Sequence, residues 1–441
     1  MAKAKSKKKK KKQTREVMIL IILLFISAGL ITAMITLYNQ RKKQAGQSAE
    51  VNIPQRPEET GLNPVVIPDA VPSTEPVSET EPVTEAPDEN LLRAEEVMQT
   101  MTLEDKIYQM FIVTPEVLVE NAVTAVVQTG NMTKAAMDET PVGGIVYFSQ
   151  NLEDPDQTKE MISGAQSYMQ DTHQIGMWIA VDEEGGTVAR VSDSLDTNFF
   201  DDMAVYGEKG DTNEVMTMGS TIAADISQFG FNLDFAPVAD VNSNPDNELQ
   251  DRIFSDDPAV VSDMVAAMVT GLQSSGQVSA TLKHFPGLGA EDGNTHEDAF
   301  TRIEREYTDL DTVDFVPFRN GIAAGAEFVM VGHQIMSCAG DDLPSDLSHV
   351  VVTDWLRNGL GFNGIIITDA HNMNTITENY SSGEAAVMAI QAGVDIILMP
   401  TDLAEAAEAV SEAVASGQLS EEQINESVRR ILTLKAKHHL L

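Results

Sequence analysis

The sequence predicts an α/β protein whose core is a (β/α)8 TIM-type barrel, preceded by an N-terminal transmembrane helix and a disordered stalk. Two observations predict the barrel. From residue 89 onward, eight short apolar runs alternate with longer helical patterns, as expected for eight parallel strands. Polar or charged residues follow most of these runs, at the edge where barrel enzymes assemble their sites.

The eight predicted strands are short and rich in aliphatic residues. In chain order they cover residues 109–114, 144–149, 177–182, 233–240, 280–285, 328–333, 365–369 and 395–399. Helical patterns lie between them, for example at residues 258–274, 383–392 and 403–415. An open doubly wound sheet would show the same alternation. It is less favoured because no Gly-x-Gly-x-x-Gly turn opens any of the helices.

The N-terminus predicts a membrane anchor. Residues 1–16 form a basic tail, and residues 17–37 contain no charge. A helix of this length spans about 31 Å, which matches the hydrocarbon core of a bilayer. The basic flank before it is heavier than the flank after it, so we expect a cytoplasmic N-terminus and an extracytoplasmic folded domain. A cleaved signal peptide is the alternative, but the apolar run is long and no small-x-small site follows it.

Residues 38–88 predict a flexible linker between this anchor and a folded domain at residues 89–441. The linker is rich in Pro, Glu and Thr and has too few large apolar residues to bury a core. We therefore expect a single-pass cell-membrane protein whose domain stands away from the membrane surface.

The charge distribution bears on possible partners. The formal net charge is −39, yet residues 1–43 carry 12 bases and one acid, which leaves 17 bases and 67 acids for the remainder. So acidic a body argues against nucleic acid as a partner, because it would repel a phosphate backbone. The single cysteine, Cys338, excludes an internal disulfide.

Several strand ends carry candidate functional groups, each with a structural alternative. Asp369 ends a wholly apolar strand and could act as a nucleophile, or it could cap the next helix. The acidic run that begins at Asp182, with Arg190 beyond it, could bind hydroxyls or a metal, or form a solvated loop. Arg252 could fork onto a ligand or pair with Asp251. Asp240 could cap loop amides.

In order and spacing, these motifs resemble glycoside hydrolase family 3, in particular its single-domain bacterial NagZ-type β-N-acetylglucosaminidases (β-hexosaminidases). The resemblance covers nearly all of the folded domain. The segments that carry it are residues 101–106, 143–148, 182–186, 232–245, 283–287, 343–348, 361–369 and 426–432. It implies the N-terminal-type barrel of that family.

The resemblance also implies a retaining glycosidase without metal or cofactor. Asp369 stands where the family has its nucleophile, and His296 matches the loop histidine that serves as general acid/base. The family's second domain, which supplies a glutamate acid in many members, is expected to be absent here. The residues implied to hold the sugar are Asp182, Arg190, Arg252, Lys283 and His284.

The sequence departs from the family pattern near His296. Two residues before this histidine the family has an aspartate, whereas this chain has Asn294, and Leu288 replaces the usual His or Arg after Pro-Gly. An asparagine can orient the imidazole but cannot stabilise its charge. We therefore expect a less basic His296, a more acidic optimum and a lower rate. The alternative is that Asp292, Glu297 or Asp298 takes the place of the missing aspartate.

The leading functional hypothesis is removal of terminal β-linked N-acetylglucosamine from peptidoglycan fragments or related amino-sugar oligosaccharides. A β-glucosidase or β-xylosidase of the same family is one alternative, and a catalytically weakened sugar-binding cell-wall protein is another. A metal enzyme that uses His284, His296, His333 and Asp369 is disfavoured, since no His-Glu-x-x-His or similar ligand spacing occurs.

Overall fold

The computed structural model describes residues 88–119, 122, 124–290 and 301–441. The expected basic tail, the transmembrane helix and nearly all of the linker lie outside these residues, and so does His296. Within the described residues, none of the helices combines the length and apolarity needed to cross a membrane.

Eight parallel strands close into a barrel, as the sequence predicts. They are β1 Phe111–Val113, β2 Gly144–Val146, β3 Trp178–Val181, β4 Leu233–Asp234, β5 Ser279–Phe285, β6 Phe328–Val331, β7 Ile365–Ala370 and β8 Ile396–Leu398. Each strand pairs with its neighbours in the sequence, and β8 pairs with β1 to close the ring. All eight predicted strands are confirmed. The fourth is shorter than predicted because Pro237 has no N–H to donate to the ladder.

Helices surround the barrel and fill the connections between its strands. Their bounds are Glu89–Met98, Leu103–Gln109, Pro115–Leu118, Asn131–Glu139, Pro155–His173, Arg190–Leu195, Met203–Lys209, Thr212–Ser227, Pro258–Leu272, Tyr307–Asp309, Phe315–Ala323, Asn374–Thr377, Ser382–Ala392, Leu403–Ser416 and Glu421–Lys437. Leu310–Asp314 and Val350–Gly359 are π-helical. The helices predicted at residues 258–274, 383–392 and 403–415 are confirmed to within two residues at each end. Such differences are expected because helix termini fray.

Two small sheets lie outside the barrel. Glu183–Gly185 pairs antiparallel with Val188–Ala189, directly after β3. Arg302–Ile303 pairs in parallel with Ile335–Met336. The first of these sheets is a hairpin, and residues in and around it line the cavity at the carboxyl ends of the strands.

Aromatic side chains pack the barrel strands against the surrounding helices. The ring of Phe285 on β5 stacks on Phe315 at a centroid distance of 5.1 Å and meets Phe318 edge-on at 5.2 Å. Such pairs contribute about 0.5–1.5 kcal/mol each beyond the area they bury. This packing fixes the end of β5, from which two of the predicted site residues extend.

The last helix closes the other end of the barrel with polar contacts. Glu327, before β6, accepts hydrogen bonds from Ser279 at 2.6 Å and Lys437 at 2.5 Å, and lies 2.8 Å from a ring nitrogen of His438. The ammonium of Lys435 is fully buried and donates to the side-chain oxygen of Gln109 at 2.7 Å. These residues lie at the N-terminal ends of the strands, away from the predicted site.

Candidate active site

The carboxyl ends of the strands enclose a cavity of about 300 Å³, a volume within the range of small-ligand sites. Six of the seven predicted site residues line it: Asp182, Arg190, Arg252, Lys283, His284 and Asp369. The seventh, His296, lies outside the described residues. The barrel thus brings together side chains that are up to 187 positions apart in the sequence.

A buried glutamate holds the two cationic side chains of the cavity. The carboxylate of Glu184 accepts two hydrogen bonds from the guanidinium of Arg252, at 2.7 and 2.8 Å, and lies 2.6 Å from the ammonium of Lys283. Burial alone would raise the pKa of Glu184, but these two positive charges lower it to about 2. Glu184 therefore stays ionised and fixes both cations along the cavity wall.

This arrangement corrects two alternatives raised by the sequence. Glu183 and Glu184 are buried, so the acidic run after β3 is not a solvated loop. The guanidinium of Arg252 forks onto Glu184, 68 positions away, and not onto the neighbouring Asp251. Sequence reasoning missed Glu184 because nothing in the run itself shows that two cations converge on it.

Lys283 joins this glutamate to the half-buried Asp182. Its ammonium donates to Asp182 at 2.9 Å while it contacts Glu184. Burial opposes the charge on Lys283, but the two carboxylates outweigh it and raise the pKa of Lys283. Lys283 is therefore a fixed cation at the edge of the cavity, and Asp182 keeps acceptor capacity for a ligand hydroxyl.

His284 is oriented by a fully buried aspartate. Oδ2 of Asp240 lies 2.9 Å from Nδ1 of His284 and accepts a hydrogen bond from the His284 main-chain N–H at 3.0 Å. Oδ1 of Asp240 accepts from the main-chain N–H of Leu288 at 2.6 Å. Asp240 thus caps loop amides, as the sequence predicts. Because Asp240 contacts Nδ1 of His284, the other ring nitrogen, Nε2, points away from Asp240.

The glycines after Lys283 and His284 are required by close packing. Gly287 has φ +127°, a conformation that L side chains rarely adopt. A Cβ atom on Gly289 would lie 2.0 Å from the main-chain oxygen of Val241. Between them, Leu288 packs in a small apolar cluster with Val238, Leu249 and Ile253 and lines the cavity. Leu288, which stands where the family usually has His or Arg, therefore forms an apolar part of the cavity wall.

Asp369 lies at the end of β7 and faces the cavity. Its Oδ1 accepts a hydrogen bond from the main-chain N–H of Ala370 at 2.7 Å. Burial alone would raise the pKa of Asp369, but the positive charges of His333 and His284 hold it below the usual range. The N-cap position of the next helix is Met373, which makes no side-chain cap, so the interpretation of Asp369 as a helix cap is wrong.

Arg190 is the remaining described member of the predicted set. It begins a short helix after the hairpin that follows β3 and lines the cavity. Its Nε atom is buried and has no hydrogen-bond partner among the described residues. Since a buried guanidinium nitrogen normally has an acceptor, a ligand oxygen in the cavity would satisfy it.

The described residues contain no group of three or more His, Cys, Asp or Glu side chains that could hold a metal ion. Carboxylates, an imidazole and fixed cations around a small cavity can bind a molecule rich in hydroxyl groups. They can also stabilise charge that develops during attack by one of the carboxylates.

Comparison with known proteins agrees with this arrangement. Residues 102–434 match the Glycosyl hydrolase family 3 N terminal domain. The chain is 32% identical over 325 residues to beta-hexosaminidase A of Pseudoalteromonas piscicida, covering 67% of this chain and 53% of that protein. It is 35% identical over 268 residues to a beta-hexosaminidase of Nitrosomonas eutropha, covering 59% of this chain and 74% of that protein.

A solved structure shares the fold. The glycoside hydrolase family 3 beta-N-acetylglucosaminidase from Paenibacillus sp. str. FPU-7 superposes with a TM-score of 0.72 and 31% identity, over 77% of this chain and 63% of that one. This chain thus spans about half of the first relative and less than two thirds of the solved structure. The match of the family domain covers most of the chain, and the chain therefore belongs to glycosyl hydrolase family 3.

Proposed function

We propose that the protein is a retaining β-N-acetylhexosaminidase that removes terminal β-linked N-acetylglucosamine from peptidoglycan fragments or related amino-sugar oligosaccharides. The observation that carries the proposal is the convergence of the six described site residues on one cavity, with an ionised Asp369 at its wall. The similarity to beta-hexosaminidases supports the choice of an N-acetylated sugar.

In this proposal Asp369 is the nucleophile. An ionised carboxylate attacks the anomeric carbon and forms a glycosyl-enzyme ester, which water then hydrolyses with retention of configuration. The lowered pKa of Asp369 supports the role, because the carboxylate must be free of its proton before attack. Asp369 is half-buried at the cavity wall, so its carboxylate remains accessible to a substrate.

The proposed grip on the sugar uses both acceptors and donors. Asp182 accepts from sugar hydroxyls, and Lys283, His284, Arg190 and Arg252 donate to sugar oxygens. Their fixed positions mean that little reorganisation is needed as the sugar becomes oxocarbenium-like. The ion-pair network around Glu184 holds two of these donors in place before the substrate arrives.

His296 is the proposed general acid/base. It lies outside the described residues, so the sequence alone supports the role. An imidazole has an ordinary pKa of about 6.5, which suits proton transfer to a leaving oxygen near neutral pH. Asn294, two residues before it, supplies no charge to the imidazolium where the family pattern has an aspartate.

We also propose that residues 17–37 anchor the protein in the cell membrane, with the N-terminus cytoplasmic and the barrel extracytoplasmic. The support is the uncharged run of 21 residues and its heavier basic flank on the N-terminal side. Protease treatment of intact cells tests this, with loss of the barrel but not of an N-terminal tag as the expected result. Protection of the barrel would contradict the orientation.

The decisive test of the activity compares chromogenic β-N-acetylglucosaminide and β-glucoside substrates. We expect the wild-type chain to prefer the N-acetylated sugar and to release the β-anomer first, as followed by proton NMR. Asp369→Asn should abolish turnover, whereas Asp354→Asn, on an exposed position of the outer helix, should not.

The other outcomes distinguish the alternatives. A preference for β-glucoside or β-xyloside would favour the second enzyme hypothesis. Binding of N-acetylglucosamine oligomers by calorimetry, with no turnover of either substrate, would favour a sugar-binding cell-wall protein. First release of the α-anomer would contradict the proposed role of Asp369.

A further inference from the structure

A buried cluster of two histidines and one aspartate lies beside Asp369. Its members are not among the proposed sugar-binding residues. His333, Asp346 and His371 are exposed by only 1%, 0% and 2%. Nδ1 of His333 lies 3.0 Å from Oδ1 of Asp346, and Nε2 of His371 lies 2.8 Å from Oδ2 of Asp346. One carboxylate thus lies between two imidazole rings.

The cluster connects two neighbouring barrel strands. His333 follows β6, His371 follows β7, and Asp346 belongs to the loop between these strands. Nε2 of His333 lies 3.0 Å from the main-chain oxygen of Ala370, the residue next to Asp369. A change in the cluster therefore acts directly on the backbone that carries the proposed nucleophile.

The contacts of His333 favour its charged form. Its two ring nitrogens each lie 3.0 Å from an oxygen, one of Ala370 and one of Asp346. A neutral imidazole has a single N–H, so either neutral tautomer would set a nitrogen lone pair against an oxygen. The imidazolium carries a proton on both nitrogens. The approach to Asp346 is too bent for a hydrogen bond, so this contact is an attraction between opposite charges.

The electrostatics of the cluster agree with this geometry. Burial alone would lower the pKa of His333, but the charge of Asp346 raises it to about 9. Burial alone would raise the pKa of Asp346, but the two imidazoles lower it to about 2. Tyr380 is a further titratable group that faces Asp346, and its own pKa is raised by burial and by that charge.

We propose that His333, Asp346 and His371 form a positioning unit that keeps a positive charge beside Asp369, an inference that rests on the proposed role of Asp369 as nucleophile. Asp346 holds the proton on His333, and His371 fixes the carboxylate of Asp346. The imidazolium of His333 orients the backbone at Ala370 and stabilises the ionised Asp369. None of the three is among the residues that line the cavity.

Within the described part of the chain, the positive charges that lower the pKa of Asp369 come from residues on or just after two strands. His333 follows β6, and His284 and Lys283 belong to β5. His284 and Lys283 are proposed sugar-binding residues. His284 is paired with Asp240, and Lys283 is paired with Asp182 and Glu184. The charge of His333 beside Asp369 can therefore be altered by mutating Asp346 or His371, without changing a proposed sugar-binding residue.

The main test variant is Asp346→Asn, which removes the charge with little change of shape. We expect the acid limb of kcat/KM to move up by about one pH unit, because Asp369 loses the imidazolium that stabilises its carboxylate. The alkaline limb should stay in place, because it reports the general acid. Asp346→Glu restores the charge, so its acid limb should return toward that of the wild type. A purely structural role would lower activity at every pH without moving the limb.

The second measurement does not depend on activity. Histidine-selective labelling of the full chain allows the His333 ring to be titrated by NMR, with His333→Gln to identify its signal. We expect His333 to titrate above pH 8 in the wild type and at a much lower pH in Asp346→Asn, because burial then opposes the charge without the carboxylate that offsets it. If the chain proved inactive on all sugars, the proposed function would fail while this titration still tested the charged unit.

A matched control changes a buried histidine at the other end of the barrel. His438→Asn should leave the acid limb and the His333 titration unchanged. If Asp346→Asn does not fold, His371→Gln replaces it, since it frees the carboxylate of Asp346 while leaving its charge. Titration of the wild-type His333 near about 6.5, or an acid limb that neither variant moves, would overturn the proposal.

Discussion

The carboxylate of Asp240 binds His284 through both the ring and the main chain, at 2.9 and 3.0 Å. Asp240 is completely buried, and its second oxygen accepts from Leu288 at 2.6 Å. One side chain thus sets the orientation of the imidazole and the path of the loop that follows it. The position of His284 in the cavity is a property of Asp240 as much as of β5.

The first prediction concerns Asp240→Asn. An asparagine has one oxygen, so it cannot accept from both His284 and Leu288, and its amide group would face one of these donors. Loss of a hydrogen bond to a charged group costs about 1.5–3 kcal/mol, so we expect kcat/KM to fall tenfold to a hundredfold. Steady-state kinetics on the preferred aryl glycoside measures the change. Asp251→Asn changes an exposed aspartate of the same region and serves as the control, which should leave kcat/KM unchanged.

The second prediction concerns Glu184→Gln. Without the carboxylate, the guanidinium of Arg252 and the ammonium of Lys283 lose their shared partner and repel each other. We expect kcat/KM to fall by about a hundredfold, because misplacing groups that position a substrate by about 1 Å costs about 10²-fold in rate. The exposed Glu208→Gln serves as control. Wild-type kinetics in Glu184→Gln would show that the network does not position the cations.

Local patterns explain which parts of the fold and site could be predicted. The strands follow from apolar runs such as 365–369, and Lys283 and Asp369 follow from their places at strand ends. The partners of these residues could not be predicted in the same way. Glu184 meets Arg252 from 68 positions away, and His371 meets Asp346 from 25 positions away. These contacts depend on where loops converge, and no periodicity in the sequence encodes that.

The third prediction concerns Asn294→Asp. A carboxylate near His296 would stabilise the imidazolium and raise the pKa of the proposed general acid. The alkaline limb of kcat should therefore move to higher pH and kcat should increase, and a pH–rate profile measures both. Asn213→Asp adds the same charge on an exposed helix and should change neither. An unmoved alkaline limb together with an unchanged kcat would contradict the proposed pairing.

The fourth prediction concerns Lys435, a fully buried cation at the N-terminal ends of the strands. Burial lowers the pKa of Lys435 from 10.5 to about 7, and its one described partner is the neutral Gln109. Between these two pH values the unfolded chain binds more protons than the folded one, so the free energy of unfolding of the wild type rises with pH. Below pH 7 the folded protein keeps the proton of Lys435 and buries a charged ammonium, whereas between pH 7 and 10.5 it gives the proton up on folding.

Replacement of Lys435 by Met removes this dependence and keeps the shape of the side chain. We expect the free energy of unfolding of Lys435→Met, relative to wild type, to be greatest at pH 7 or below. The difference should decrease by about 3 kcal/mol between pH 7 and pH 10, because the cost of removing the Lys435 proton on folding falls as the pH approaches 10.5. Urea denaturation at several pH values measures it, with the exposed Lys159→Met as control. A difference that stays constant with pH would mean that Lys435 keeps its charge at little cost, and Gln109 would then be a stronger partner than a neutral amide should be.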